Sequence, residues 1–145
     1  MAKIHMTMQG KGGVGKSLIS SILAQYFYSK KKTPLCIDTD PVNATFHGFK
    51  ALNVQRLDLM KDDEIDHRKF DDLIDLISKN KSDVIIDNGA STFVPLSHYL
   101  ISNDIAGFLE ERGHELIIHT VITGSQALPD TLNGFSKMVK QFSND

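Results

Sequence analysis

Gly10-Lys-Gly-Gly-Val-Gly-Lys16-Ser17 is the stretch from which the rest of this sequence is read. It matches G-x-x-x-x-G-K-[ST] at every fixed position, and its flanks supply the context that pattern requires, a strand before it and a helix after it. Upstream, residues 3–8 (Lys-Ile-His-Met-Thr-Met) predict a short strand; downstream, Leu18, Ile19, Ile22, Leu23, Tyr26 and Phe27 recur as a helical apolar pattern. Gly10, Gly12, Gly13 and Gly15 predict a tight turn with positive φ, which brings backbone N–H groups within reach of phosphate oxygens at the positive end of the helix. In such a loop Lys16 supplies a point charge between the β- and γ-phosphates, and the Ser17 hydroxyl ligates a bridging magnesium ion. ATP or ADP with Mg2+ is therefore the expected ligand, on a segment comprising Gly10, Lys11, Gly12, Gly13, Val14, Gly15, Lys16, Ser17 and Leu18. The competing reading is a glycine-rich turn followed by an unrelated Lys-Ser. Lys11 is not required by the general loop, and from spacing alone it reads as a solvated loop residue.

Further along, Lys30–Lys32 close the first helix favourably against its dipole, and residues 33–37 predict a strand that stops at Asp38. Residues 52–59 alternate imperfectly as an extra strand, and Phe70, Leu73, Ile74 and Ile77 form a helix stripe. Val84, Ile85 and Ile86 make a continuous apolar run ending in Asp87, the pattern of a strand buried on both faces of a parallel sheet. One helix carrying Leu100, Ile101, Ile105, Phe108 and Leu109 is expected to stop near Gly113, before a strand over 115–122. A last helix starts near Pro129, with Leu132, Phe135, Val139 and Phe142 on one face. Strands alternating with helices imply right-handed βαβ crossovers, so the expected class is α/β: a P-loop fold with a mostly parallel sheet and helices on both faces. A single domain over 1–145 is expected. Because the chain stops just after an amphipathic helix that should lead into another strand, C-terminal strands are expected to be missing.

Ligands of open α/β sheets bind beyond the carboxyl ends of strands, and two predicted strands end in aspartates there. Asp87, after its buried run, fits a Walker B carboxylate holding magnesium through water. Asp40, in Ile-Asp-Thr-Asp-Pro, is the candidate to orient an attacking water, although an aspartate before Pro41 equally suits a turn. Asp38 has two readings, a metal neighbour or a loop cap. The expected site residues are thus Lys16 and Asp40 for catalysis, with Ser17, Asp38 and Asp87 at the metal.

Composition removes several alternatives. A formal charge of −2 over 145 residues offers no global reason to coat nucleic acid or an anionic membrane. No apolar run approaches the ~20 residues of a membrane span. The single cysteine, Cys36, cannot form an internal disulfide or support an iron–sulfur cluster alone, and the polar N-terminus does not read as a secretory signal, so a cytoplasmic protein is expected. The six histidines show no metal-ligand spacing. Residues 62–66 (Asp-Asp-Glu-Ile-Asp) read as a solvated face before a helix.

The run Lys11–Ser17, with Asp38-Thr-Asp-Pro41 about twenty residues on and Asp87 after an apolar strand, resembles the deviant Walker A ATPases that include ParA and MinD. Residues 1–17 and 119–132 are also similar to the TraL family of plasmid conjugal-transfer regions. The resemblance implies a SIMIBI-class fold in which ATP is sandwiched between two subunits, with Lys11 as the signature lysine acting in trans on the partner's phosphates. It further implies that Asp40 lies in a first switch loop, that Asp87 opens a second, that hydrolysis is slow, and that an ATP-dependent homodimer serves a protein partner in the transfer machinery. Many such relatives have a proline soon after the aspartate of the second switch, where this chain has Asn88-Gly89-Ala90. ParA-like DNA binding would need basic residues that the sequence does not single out, and the segment from Phe135 to Phe142 reads as a core helix rather than a membrane anchor. A metabolic P-loop kinase or ligase and a non-catalytic nucleotide module are the alternatives.

Overall fold

The computed structural model describes residues 1–142 and begins with β1 (Ala2–Thr7), which leads through the glycine loop into α1 (Lys16–Ser29) and on to β2 (Leu35–Asp38). Two short 3-10 turns precede β3 (Gln55–Arg56), and a small hairpin, β4 (Met60–Lys61) and β5 (Glu64–Ile65), precedes α2 (Arg68–Ser78). Then follow β6 (Val84–Asp87), α3 (Phe93–Ser102), α4 (Ile105–Glu111), β7 (His114–His119) and α5 (Leu128–Phe142). The main sheet is parallel in the order β3-β2-β6-β1-β7, so strands are added first on one side of β1 and then on the other. Its register aligns Thr7 with Asp87 and Asp87 with Asp38, which sets three polar strand ends side by side at the carboxyl edge. A doubly wound sheet forms its crevice there.

β6 is buried at all four positions, as its unbroken Val84-Ile-Ile run predicts for a strand covered on both faces. One face packs on Phe70, Leu73, Ile74 and Ile77 of α2 and on Leu96, Leu100 and Leu109 of α3 and α4; the other packs on Ala24 and Phe27 of α1. Deleting a side chain such as Phe70 from this core would cost about 3–5 kcal/mol.

Several expectations need correction. Of the extra strand expected over 52–59 only Gln55–Arg56 forms, as β3. α1 buries only part of its apolar pattern: Leu18, Ile22 and Tyr26 are exposed, while Phe27 faces inward together with Lys16, Ser20, Ser21 and Ala24. The loop holds α1 close over β1 and β6, and small side chains fit that approach. In α5 the inward residues are Thr131, Gly134 and Met138, one position before the expected Leu132, Phe135 and Val139, a rotation of about 100°. Gly134 leaves room for Gln9 on that face, because a Cβ there would collide with the Gln9 side-chain oxygen. The single helix expected between β6 and β7 is two, broken at Asp104, which takes φ 43° and accepts the Gly107 N–H at 3.2 Å as a cap. Within the acidic stretch, Asp62 and Asp63 both take positive φ (50° and 64°) and turn the β4–β5 hairpin.

Under α1, the Nδ1 of His5 and Nε2 of His119 share a hydrogen bond at 2.8 Å, with stacked rings, and Phe27 meets His5 edge-on. Burial holds the pKa of both imidazoles below the ordinary 6.5; at His5 the neighbouring His119 adds to this, and Asp83 and Glu115 oppose it. A depressed histidine contributes stability that is present above the unfolded value and lost as pH falls through the folded one. Urea unfolding midpoints should therefore drop as pH is lowered below 6.5, and His5→Phe should make that drop shallower. An equal acid dependence in both chains would refute it.

Candidate functional site

Above the carboxyl ends of β1, β2 and β6 lies a cavity of about 650 Å³, lined by residues 12–18, by Asp40, Val42, Asn43 and Thr45 after β2, and by Ala90 and Ser91 after β6. Its floor is the glycine loop. Gly13 and Gly15 take φ 69° and 102°, a region open to glycine at little cost, whereas Gly10 and Gly12 do not. Positive φ was expected at all four. Gly10 is needed for space instead, because a Cβ there would meet the Phe93 ring at 3.0 Å. At Gly12, Gly13 and Gly15 a Cβ would meet no protein atom within 4 Å, so the space above the loop is free. α1 starts at Gly15 with no side-chain cap and no acidic residue in its first turn. Its unsatisfied N–H groups and positive dipole end are left for an anion.

Lys16 is only 7% exposed, and its Nζ donates to the Lys11 carbonyl at 3.0 Å, so the ammonium lies tucked under the loop. Burial lowers its pKa, with Asp87 and Asp40 pulling it back up. Beneath it Asp87 gathers three hydroxyls: Ser17 donates to Oδ2 at 2.6 Å, and Thr7 and Ser20 to Oδ1 at 2.9 and 3.0 Å. Burial raises the Asp87 pKa, and these hydroxyls and Lys16 restrain the rise. Asp87 therefore reaches the cavity through Ser17.

Asp38 is fully buried and turned into its own loop, accepting N–H groups of Asp40 at 3.0 Å and His47 at 2.8 Å. Burial raises its pKa, the two N–H groups opposing it. This geometry matches the loop-cap reading. Asp40 lies at the cavity wall with Oδ1 accepting from Val42 and Asn43. The structure thus brings Gly12, Gly13, Val14, Gly15, Lys16, Ser17, Leu18 and Asp40 to one cavity. Gly10 and Lys11 line a neighbouring cavity of about 310 Å³, where Lys11 Nζ pairs with Asp130 at 2.8 Å at the start of α5. Thr7, Ser20, Asn88, Gly89 and Asp130 were not foreseen; only the strand-end position of Thr7 and the helical spacing of Ser20 from Lys16 hinted at two of them.

Among the described residues no three His, Cys, Asp or Glu side chains gather as a metal cage. Magnesium bound together with phosphates keeps several waters and needs only one or two protein ligands, so the Ser17–Asp87 pair suits it. Among the described residues no helix is long and apolar enough to cross a membrane.

Two curated Escherichia coli proteins, each called Protein TraL, are similar to this chain, at 66% and 62% identity over 142 residues, or 98% of it. The chain spans 59% of the length of each. No solved structure matches it. The family model for the CobQ/CobB/MinD/ParA nucleotide-binding domain matches residues 5–144, nearly the whole chain, and with the glycine loop, the parallel sheet and the strand-end carboxylates beneath it, this protein belongs to that family.

Proposed function

We propose that this chain binds ATP with Mg2+ in the large cavity, dimerises around it and hydrolyses it slowly, acting as a switch read by a protein partner in plasmid conjugal transfer. The observation that carries the reading is the uncapped start of α1 beneath an open glycine loop, with Lys16 buried beside it and Ser17 joined to Asp87. These features fit a triphosphate. Loop N–H groups and the Lys16 ammonium bind the phosphates, and Ser17, backed by Asp87, holds the metal. Bound magnesium supplies charge neutralisation of the phosphate oxygens. Asp40 orients the water.

The cytoplasm, where ATP is abundant, is the proposed compartment. Similarity to the TraL proteins supports the conjugal role, and no observation on this chain favours a kinase or an inert module over the switch.

Lys11 is the residue assigned to the dimer. Its pair with Asp130 is half-exposed on both sides, and such surface pairs are worth about 0–1 kcal/mol, so Lys11 leaves its own chain at little cost. Light scattering should show the mass doubling when ATP and Mg2+ are added to the wild type. Lys11→Ala should bind ATP with similar affinity and remain monomeric. A wild type that binds ATP but stays monomeric at every concentration would exclude the sandwich dimer.

A further inference from the structure

Gly89 stands in ordinary extended backbone, φ −67° and ψ 157°, which any residue type adopts. Conformational freedom is therefore not why glycine is there. What matters is the missing side chain: a Cβ on Gly89 would lie 2.8 Å from Asp40 Oδ1, 2.9 Å from its Cγ and 3.1 Å from Pro41 Cδ. The Asp40 carboxylate occupies the space that a side chain at position 89 would fill.

The rest of the Asp40 pose comes from its own loop. Oδ1 accepts the Val42 and Asn43 N–H groups at 2.9 and 3.0 Å, while Oδ2 takes no hydrogen bond among the described residues. One oxygen is fixed and the other is left available. Directly before Gly89, the buried Asn88 ties the two loops together underneath. Its Nδ2 donates to the Thr7 carbonyl at 3.2 Å and its Oδ1 accepts the Thr39 hydroxyl at 2.9 Å, and Thr39 N–H donates to the Asp87 carbonyl at 2.9 Å. The loop after β6 is thus joined to the loop after β2 by hydrogen bonds at Asn88 and by close contact at Gly89.

We infer that Gly89, seated by Asn88, is a positioning residue for Asp40: the loop after β6 sets the pose of the carboxylate that the loop after β2 delivers to the cavity. The inference rests on the reading of that cavity as an ATP site. A methyl group at 89 collides with Asp40 and presses on Pro41, and no residue of 10–17 lies among the three atoms nearest that Cβ.

The test compares Gly89→Ala, Asp40→Ala and the double variant with the wild type in thermal melting, ADP affinity and ATP turnover. Gly89→Ala should lower turnover about tenfold or more, since small misplacements of a reacting group are costly, while ADP affinity stays within about twofold. It should also lower the melting temperature by a few degrees in the native background and far less in the Asp40→Ala background, because the group it collides with is gone. An equal melting loss in both backgrounds, unchanged turnover, or loss of ADP binding together with turnover would each overturn the inference. If the wild type binds ADP without hydrolysing ATP, the hydrolytic part of the proposed function fails, and the melting comparison by itself decides the Gly89 contact.

Discussion

Replacing Lys16 by alanine is expected to weaken ATP and ADP binding by about a hundredfold or more, the scale of losing charge-assisted hydrogen bonds at a shielded site. The Lys16 side chain is almost wholly buried, and its Nζ spends one of three donors on the Lys11 carbonyl, which leaves two for phosphate oxygens. The fold itself should survive the change. Burial lowers the Lys16 pKa, so the ammonium is a group that the folded state holds at a cost until an anion arrives. Thermal melting without nucleotide should therefore stay close to wild type while the nucleotide-induced stabilisation disappears. If melting collapsed without ligand, the role of Lys16 would be architectural.

The second large effect concerns Asp87→Asn, where stability and function should part company. Three hydroxyls converge on a buried carboxylate whose pKa is raised chiefly by desolvation. A raised folded pKa means that the stability this group contributes is present below the ordinary 3.8 and is lost as pH rises through the folded value. At neutral pH the charge is thus a burden on the fold, which asparagine removes while keeping an oxygen for Thr7 and Ser20 and placing its amide against the Ser17 hydroxyl. The variant should be as stable as the wild type or more so. What it loses is the negative charge behind Ser17, so magnesium should no longer tighten ATP binding, a loss of about tenfold or more in the metal-dependent gain. Paired titrations with magnesium and with chelator measure it. A retained magnesium dependence would remove Asp87 from the metal site.

The positions of these two residues were legible in the sequence because the chemistry proposed for them constrains their neighbours. A lysine that grips phosphate must follow a loop free of side chains, and a metal carboxylate at the end of a buried strand must follow a continuous run such as Val84-Ile-Ile. The same logic exposed α2, whose Phe70, Leu73, Ile74 and Ile77 all point into the core. It failed where small residues set the packing. α1 carries apolar side chains on nearly every side, so its pattern could not reveal that Ser20, Ser21 and Ala24 lie against the sheet. α5 presents Thr131 and Gly134 to Gln9, a contact across more than a hundred positions of sequence. The break at Asp104 carried a capping signal, yet the apolar residues on either side read as one helix.

In the site, residues 12–18 could be read because they are contiguous. Thr7, Ser20 and Asn88 could not, since each gains its role only when β1, α1 and β6 are brought side by side. From the sequence, Asp40 was the candidate to orient water, and Asp38 had two readings, a metal neighbour or a loop cap. The structure separates them, giving both oxygens of Asp38 to backbone N–H groups and leaving one oxygen of Asp40 free of hydrogen bonds among the described residues.

The most direct measurement is a calorimetric titration of ATP with magnesium into the 145-residue chain and its Lys16→Ala variant, with adenosine as the ligand lacking phosphates. Saturable binding of ATP by the wild type, lost in the variant and absent for adenosine, is the predicted result. Equal binding of ATP by both chains, or no binding by the wild type, would contradict a phosphate site at Gly10–Ser17.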